Sequence, residues 1–167
     1  MDWNNVVNIN DIKLADGSFG DLYNCQRKYL AEGMGAKKLG FNVTVLPPEN
    51  FSCPYHFHHS EEELFLVLEG RGMLRQNDHF REVRKGDLIH CKNSPEGVHQ
   101  FYNHTNGAFK YFAISTMDEF EICEYPDSGK VFVAKTNKVF ENGSSVPYLT
   151  GEEDPRKLWP SELFENT

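Results

Sequence analysis

The sequence lacks several features that would place the protein in other classes. No apolar stretch approaches the roughly 20 residues of a membrane-spanning helix, and residues 1–5, Met-Asp-Trp-Asn-Asn, have neither the basic start nor the apolar centre of a secretory signal. We therefore expect a cytoplasmic protein without a membrane partner. Basic residues are also few: 17 Lys and Arg against 25 Asp and Glu give a formal net charge of -8, which argues against nucleic-acid binding.

Cysteine is scarce too, and its spacing excludes the usual paired motifs. The four cysteines, Cys25, Cys53, Cys91 and Cys123, contain no Cys-x-x-Cys pair, so we expect reduced thiols and no cysteine nucleophile. Cys53 lies just before a histidine pair, and Cys91 is placed in a loop near the same site. Either could line a pocket, although a small buried apolar side chain is the commoner role of cysteine.

Short strands dominate the pattern, with little sign of helix. A chain of 167 residues suffices for one domain, and its 13 Phe and 7 Tyr supply apolar surface for a β-rich core. Alternating apolar residues between turn signals predict strands at 41–45, 64–68, 73–76, 80–83, 87–90, 99–103 and 109–115. Many short strands without long helices indicate an all-β sandwich or barrel.

A metal site is the most informative prediction. His56 and His58 share one face of a strand because side chains alternate along it. Glu63 follows a polar turn, and His99 lies far downstream as a possible fourth ligand. Imidazoles with one carboxylate suit a divalent transition ion, so Fe, Mn, Zn, Ni, Co and Cu all remain candidates.

These residues also carry a resemblance to a known family. The pattern from Asn50 through His56, His58 and Glu63 to Gly70 resembles the first cupin motif, with Asn50 in place of the usual glycine. Gly86, Pro95, Gly97, His99 and Asn103 resemble the second motif, which here has three extra residues before Pro95 and one fewer before His99. The resemblance spans about residues 39–115 and is to a small single-domain cupin.

The resemblance implies a cupin jelly roll, a double-stranded β-helix, with extensions at both ends. We place the barrel at residues 39–142 and a C-terminal arm, anchored at Trp159, at 143–167. Residues 1–38 would pack on the barrel or on a partner subunit. The resemblance also implies that His56, His58, Glu63 and His99 are the metal ligands.

Several neighbouring residues compete for roles or receive none. Glu62 would replace Glu63 as a ligand if the turn were one residue shorter, but Glu63 shares the inward face of Phe65 and Val67. His90 is a possible pocket residue, although a structural role fits better. We expect His59 to face solvent, His79 to lie at a hairpin tip, and Asn103 to bond to backbone. His104 is given no functional role.

The strand at 64–68 is apolar on both faces. Leu64, Leu66 and Leu68 lie opposite Glu63 and Phe65, so a lone barrel would leave a leucine stripe in water. Residues 1–38 or a second subunit would have to cover that stripe. Because cupins commonly pair their sheets, we expect a homodimer.

The resemblance leaves three functions open. The first is a metal-dependent enzyme acting on a small polar oxygenated molecule, such as a sugar or sugar phosphate isomerase or epimerase. The second is an Fe(II)-dependent dioxygenase, and the third is a non-catalytic barrel that binds a small ligand. A phosphate would need a cationic partner, for which Arg75 and Lys92 are candidates. No general acid or base can be identified.

Overall fold

The computed structural model describes residue 3 and residues 5–164. The outermost residues of the predicted segments 1–38 and 143–167 therefore lie outside the described residues. The regular structure of the described chain is almost entirely β, with a few single-turn 3₁₀ helices. The 3₁₀ helices are Glu32–Met34, Pro95–Gly97, Ala134–Thr136, Pro155–Leu158 and Ser161–Leu163. No helix in this described part of the chain is long and apolar enough to cross a membrane.

The strands are numbered in chain order. They are β1 (Ala15–Asp16), β2 (Gln26–Tyr29), β3 (Leu39–Leu46), β4 (Phe57–His58), β5 (Glu63–Glu69), β6 (Arg71–Gln76), β7 (His79–Arg84), β8 (Leu88–Cys91), β9 (His99–Tyr102), β10 (Phe109–Thr116), β11 (Ile122–Tyr125), β12 (Lys130–Val133), β13 (Lys138–Glu141) and β14 (Ser144–Val146). Every strand predicted from the sequence is present, displaced by a few residues at most.

Three antiparallel sheets form the jelly roll. The largest has the order β1-β2-β3-β10-β5-β8, a second has the order β14-β13-β12-β11-β4, and a third has the order β7-β6-β9. The fold is the predicted all-β double-stranded β-helix. Strands β1 and β2 continue the large sheet from β3, so part of the predicted N-terminal segment belongs to the barrel wall.

The second sheet extends beyond the strands that the sequence indicated. Strands β11 to β14 lie after the last predicted strand, and β13 pairs with β14 in a hairpin. The predicted boundary at residue 142 falls inside that hairpin, where Asn142 and Gly143 both have positive φ. These strands are short and partly exposed, so their apolar alternation in the sequence is weak.

The main core lies between the large sheet and the three-stranded sheet. Phe65, Val67 and Tyr111 point inward from the large sheet and pack with Leu74 and Phe101 from the facing sheet. Alternation along each strand brings these apolar side chains to one side. The same alternation brings Glu63 to the inner face, at the open end of β5.

A second aromatic cluster holds the C-terminal arm. Trp159 packs against Phe51 with ring centroids 5.2 Å apart, and Tyr102 stacks on Phe51 at 4.5 Å. The Trp159 indole N–H donates to Gln100 Oε1 at 2.8 Å. Trp159 is 6% exposed, so the predicted anchor of the arm is buried as expected.

Turn and framework predictions are also confirmed. Asn77 and Asp78, both with positive φ, form the tight turn between β6 and β7 that places His79 beside the hairpin tip. The Asn103 amide donates to the Leu46 and Gly107 carbonyls at 2.9 and 2.8 Å, which fixes the chain after β9.

Candidate metal centre

Backbone pairing brings the two histidine segments together. His56 and His99 form an isolated antiparallel bridge, with the His56 N–H donating to the His99 carbonyl at 3.2 Å and the reverse bond at 2.9 Å. His58 lies in β4, and Glu63 is the first residue of β5. The segment from His56 to Glu63 and the distant His99 therefore reach one end of the barrel.

Their side chains converge on one carboxylate oxygen. The Nε2 atoms of His99, His58 and His56 lie 3.2, 3.4 and 4.0 Å from Glu63 Oε2. Two ligands that each lie about 2.1 Å from one ion are about 3 to 4 Å apart. The ligand atoms of His56, Glu63 and His99 all lie within 4.8 Å of one another and could hold a cation, and His58 approaches the same Glu63 oxygen. The structure thus brings together all four residues that the sequence singled out.

The other ring nitrogens of two histidines are held by backbone carbonyls. His56 Nδ1 lies 2.9 Å from the Pro54 carbonyl, and His99 Nδ1 lies 3.0 Å from the Gly97 carbonyl. A carbonyl can only accept, so each Nδ1 must carry a proton, and either ring in its neutral form presents an unprotonated Nε2 to the site. These acceptors sit two residues from each histidine and were not identified from the sequence.

The third histidine faces a carboxylate instead. His58 Nδ1 lies 3.5 Å from Glu121 Oε1, in the loop before β11. Glu121 is itself fixed, because it accepts backbone N–H groups from His59, Ser60 and Glu61 at 2.7 to 2.9 Å. One carboxylate thus holds the turn that leads to Glu63 and lies near the His58 ring, whose Nδ1 makes no hydrogen bond to the described residues.

The buried polar atoms of the site fit a cation. Glu63 Oε2 is buried and has no hydrogen-bond partner among the described residues. A buried carboxylate oxygen without a partner is costly, and a metal ion bound by Glu63 and the three imidazoles would remove that cost. The residues present therefore fit one divalent transition ion.

The pKa values of these groups reflect their burial and their short distances from one another. Burial, together with the neighbouring His99 and His58, lowers the pKa of His56 to about 3. Burial would raise the pKa of Glu63, but its contacts with His58 and His99 outweigh burial and hold that pKa well below its usual value. Glu63 is therefore a carboxylate and His56 a neutral imidazole at physiological pH, as metal ligation requires.

His99 behaves differently from His56. Burial alone would lower the pKa of His99, but the Cys91 thiol and the Glu63 carboxylate raise it well above the usual value. Metal binding at this site would therefore release a proton.

A cavity of about 490 Å³ opens onto the four side chains. This volume lies in the range typical of small-molecule sites. Part of its lining was predicted, namely the four candidate ligands, and Cys53 was named as a possibility. The lining that the sequence did not reveal includes Arg27, Tyr29, Asn42, Thr44, Cys123, Tyr125 and Tyr148.

Cys123 comes close to the candidate ligands. Its Sγ and one ring nitrogen each of His56 and His58 lie within 4.8 Å of one another. Burial raises the pKa of the Cys123 thiol well above its usual value, and metals bind the thiolate. The protonated thiol is thus a poorer ligand than Glu63, and no spacing in the sequence linked Cys123 to the histidines.

Two residues that were possible pocket residues, Cys91 and His90, do not line the cavity. Cys91 is not in a loop: it ends β8, and it is buried in the main core beside Phe65. His90 points to the outer face near the exposed Glu62, at 3.7 Å. Glu62 therefore does not compete with Glu63 for the site.

Neither predicted phosphate partner lines the cavity. Arg75 pairs with Asp127 through Nη1 and Nη2 at 2.6 and 3.0 Å and stacks over the Tyr55 ring at 3.8 Å. Lys92 is exposed and pairs with Glu96. Both residues were suggested as phosphate partners from their positions in the sequence alone. Those positions do not reveal the carboxylates that pair with them in the fold.

The jelly roll and the converging imidazoles define a β-barrel protein with a candidate mononuclear metal centre. Residues 42–115 match the family model described as the cupin domain. The chain contains a cupin-type domain, in agreement with the resemblance of its two motifs.

Relatives support the fold. An uncharacterised protein of Methanocaldococcus jannaschii is 35% identical over 60 residues, which cover 36% of this chain and 46% of that protein, so less than half of its length is matched. A structure from Silicibacter pomeroyi, named a cupin-superfamily sugar phosphate isomerase, has a TM-score of 0.71 and 21% identity, covering 85% of this chain and 96% of that chain. One from Acidithiobacillus ferrooxidans, provisionally named a sugar phosphate isomerase, has a TM-score of 0.69 and 20% identity, covering 88% and 94%.

Proposed function

We propose that the protein is a metal-dependent enzyme that isomerises or epimerises a sugar or sugar phosphate. One divalent transition ion would be held by His56, His58, Glu63 and His99. The observation that carries this proposal is the convergence of three Nε2 atoms on the buried Glu63 Oε2 at the end of a cavity of about 490 Å³.

The donor set favours a catalytic over a purely structural ion. Four protein ligands leave one position on a five-coordinate ion, or two on a six-coordinate ion, for an oxygen of the substrate. A divalent cation supplies Lewis acidity, which stabilises negative charge on a carbonyl oxygen. The chain fixes the ring orientations through the Pro54 and Gly97 carbonyls, and Phe65 and Phe101 provide an apolar wall beside the ligands.

The names of two structural neighbours agree with this proposal. Both are given as sugar phosphate isomerases, and both match most of this chain. At 20 and 21% identity they support the fold, while the reaction is proposed from the cavity and its donor set.

Metal content and proton exchange test the proposal together. Protein purified anaerobically is analysed for its elements, then incubated in D₂O with a panel of aldose and ketose phosphates and followed by NMR. We expect about one transition ion per chain and deuterium incorporation next to the carbonyl, both lost after chelation. Oxygen consumption with Fe(II), or a panel without exchange, would support instead the dioxygenase or the non-catalytic binding barrel.

Two histidine variants test the ligand set. His58→Ala should lose metal and activity, because it removes an imidazole that faces Glu63. His59→Ala is the matched control, since that ring is exposed and contacts only Glu124 among the described ionisable side chains, at 2.7 Å. Equal metal loss in both variants, with folding confirmed by circular dichroism, would contradict the assignment.

A further inference from the structure

The cavity contains one cation that the proposed metal centre does not use. Arg27 is the only arginine or lysine among the described residues that line it. It comes from β2, which joins the large sheet through β3. Arg27 is partly buried, and burial raises the free energy of any charge that lacks a partner.

Two hydrogen bonds hold the guanidinium in place. Arg27 Nε donates to Thr44 Oγ1 at 2.9 Å, and Nη1 donates to the Tyr29 hydroxyl at 3.0 Å. Thr44 Oγ1 donates in turn to Asn42 Oδ1 at 2.7 Å. The Nη2 group donates to no described residue, so it can still bind a ligand.

Arg27 also has no carboxylate partner. Among the described residues, no Asp or Glu oxygen lies within 4.0 Å of it, and both residues that it contacts by hydrogen bond are neutral hydroxyls. Arg75, which is buried, shows the usual solution, since Asp127 neutralises it in a bidentate pair. A fixed guanidinium in a cavity without such a partner is suited to an anion from outside.

The register places Arg27 in the same sheet as Glu63, three strands away. Arg27 pairs with Thr44 on β3, Thr44 pairs with Tyr111 on β10, and Tyr111 pairs with Val67 on β5. Three strand spacings of about 4.8 Å put the backbones of β2 and β5 roughly 14 Å apart. Arg27 and Glu63 therefore line the cavity from the same sheet, and Glu63 lies four residues before Val67 on β5.

We propose that Arg27 binds a terminal oxyanion, a phosphate or a carboxylate, on the substrate whose opposite, carbonyl-bearing end lies at the metal centre. The part about the substrate rests on the proposed function. The anion-binding role of Arg27 does not, because it follows from the guanidinium and its unneutralised charge. The site therefore favours anionic over neutral sugars.

Inorganic phosphate binding to the metal-free protein tests the anion site without activity. We expect Arg27→Met to weaken phosphate binding, measured by isothermal titration calorimetry, about 10- to 100-fold, as for loss of charge-assisted hydrogen bonds. Lys28→Met is the matched control, because it removes an adjacent exposed cation from the opposite face of β2. Thermal melting checks that both variants fold. Equal phosphate affinity in both variants, or no phosphate binding to the wild type, would overturn the proposal.

Substrate selectivity of the metal-loaded protein tests the second part of the proposal, namely that Arg27 binds the anionic end of the substrate. An aldose, its terminal phosphate and its uronate are compared as ligands and substrates. Arg27→Met should raise KM for the preferred anion about 10- to 100-fold with little change for the neutral sugar, and Arg27→Lys should restore part of the loss. Preference for the phosphate or for the uronate identifies the oxyanion.

The two proposals can fail separately. If no sugar derivative turns over but phosphate binding still depends on Arg27, the isomerase proposal fails and the anion site stands. If turnover is metal-dependent but Arg27→Met leaves KM for the phosphate and the uronate unchanged, the role of Arg27 is wrong and the isomerase proposal stands.

Discussion

Glu121 supports the metal centre without being one of its proposed ligands. Its two carboxylate oxygens accept three backbone N–H groups from the turn at residues 59–61. Oε1 also lies 3.5 Å from His58 Nδ1. Such outer partners of metal-binding histidines fix ring orientation and contribute to metal affinity. Glu121 is therefore a positioning residue that acts through the turn between His58 and Glu63.

Glu121→Gln tests this role at the scale of one functional group. An amide has one oxygen where the carboxylate has two, so at least one turn N–H loses its acceptor. We expect metal affinity to fall about 10- to 100-fold and the free energy of unfolding to fall by about 1–3 kcal/mol. Competition with a chelator and urea denaturation measure the two effects.

Glu124→Gln provides the control for Glu121. Glu124 is a neighbouring carboxylate on β11 whose side chain is 43% exposed and contacts His59 at the surface. Exposed ion pairs of this kind contribute at most about 1 kcal/mol to the free energy of unfolding. Because Glu124 is not one of the proposed metal ligands, metal affinity should stay unchanged in this variant. Equal metal affinity in the two variants would show that Glu121 has no positioning role.

At the scale of the element, the turn between β5 and β6 depends on Gly70. Its φ is +74°, and a Cβ added there would lie 2.1 Å from the Ala108 carbonyl oxygen. The turn thus requires both a left-handed backbone and close approach to the segment before β10. Gly86, before β8, has φ of +94° but no atom within 4 Å of an added Cβ.

Alanine variants of the two glycines distinguish the cost of backbone strain from the cost of steric overlap. Gly86→Ala should destabilise the fold by about 1–2 kcal/mol, the cost of a left-handed residue. Gly70→Ala should cost that amount plus about 1–3 kcal/mol of overpacking against backbone. Urea denaturation gives both values from the midpoint and slope. A Gly70 variant as stable as the Gly86 variant would mean that the Ala108 segment moves away freely.

At the scale of the molecule, the large sheet has an incompletely covered outer face. Leu66 and Leu88, paired across β5 and β8, are 37% and 63% exposed. The predicted leucine stripe therefore lies on the outer face, opposite Glu63 and Phe65. The described part of the segment 1–38 does not cover Leu66 and Leu88 completely. Contiguous exposed apolar surface of this kind favours association.

We propose that a second copy of the chain covers this face. Light scattering should give about twice the chain mass of 19.2 kDa. The double variant Leu66→Glu and Leu88→Glu should be monomeric, because each copy would bring like charges into the interface. Ile122→Glu on the other sheet, at a residue that is 37% exposed, is the control and should remain dimeric. A monomeric wild type at high concentration would contradict the proposal.

Local patterns were enough to predict much of the site and the central strands. The positions of His56, His58, Glu63 and His99 could be read from the sequence because strand alternation and motif spacing act over short distances. Strands β3 and β5 to β10 were predicted for the same reason. The later strands β11 to β14 were missed, since their short, partly exposed stretches carry weak apolar alternation.

The sequence by itself therefore determined the barrel and which side chains could reach one ion. Only the tertiary structure decided that Glu121 holds the turn before Glu63, that Arg75 is neutralised by Asp127, and that Arg27 lines the cavity without a carboxylate partner among the described residues. Each of these depends on pairing between segments far apart in the chain. Such pairing is fixed by the closure of the sheets and the packing of their inner faces, which no local pattern records.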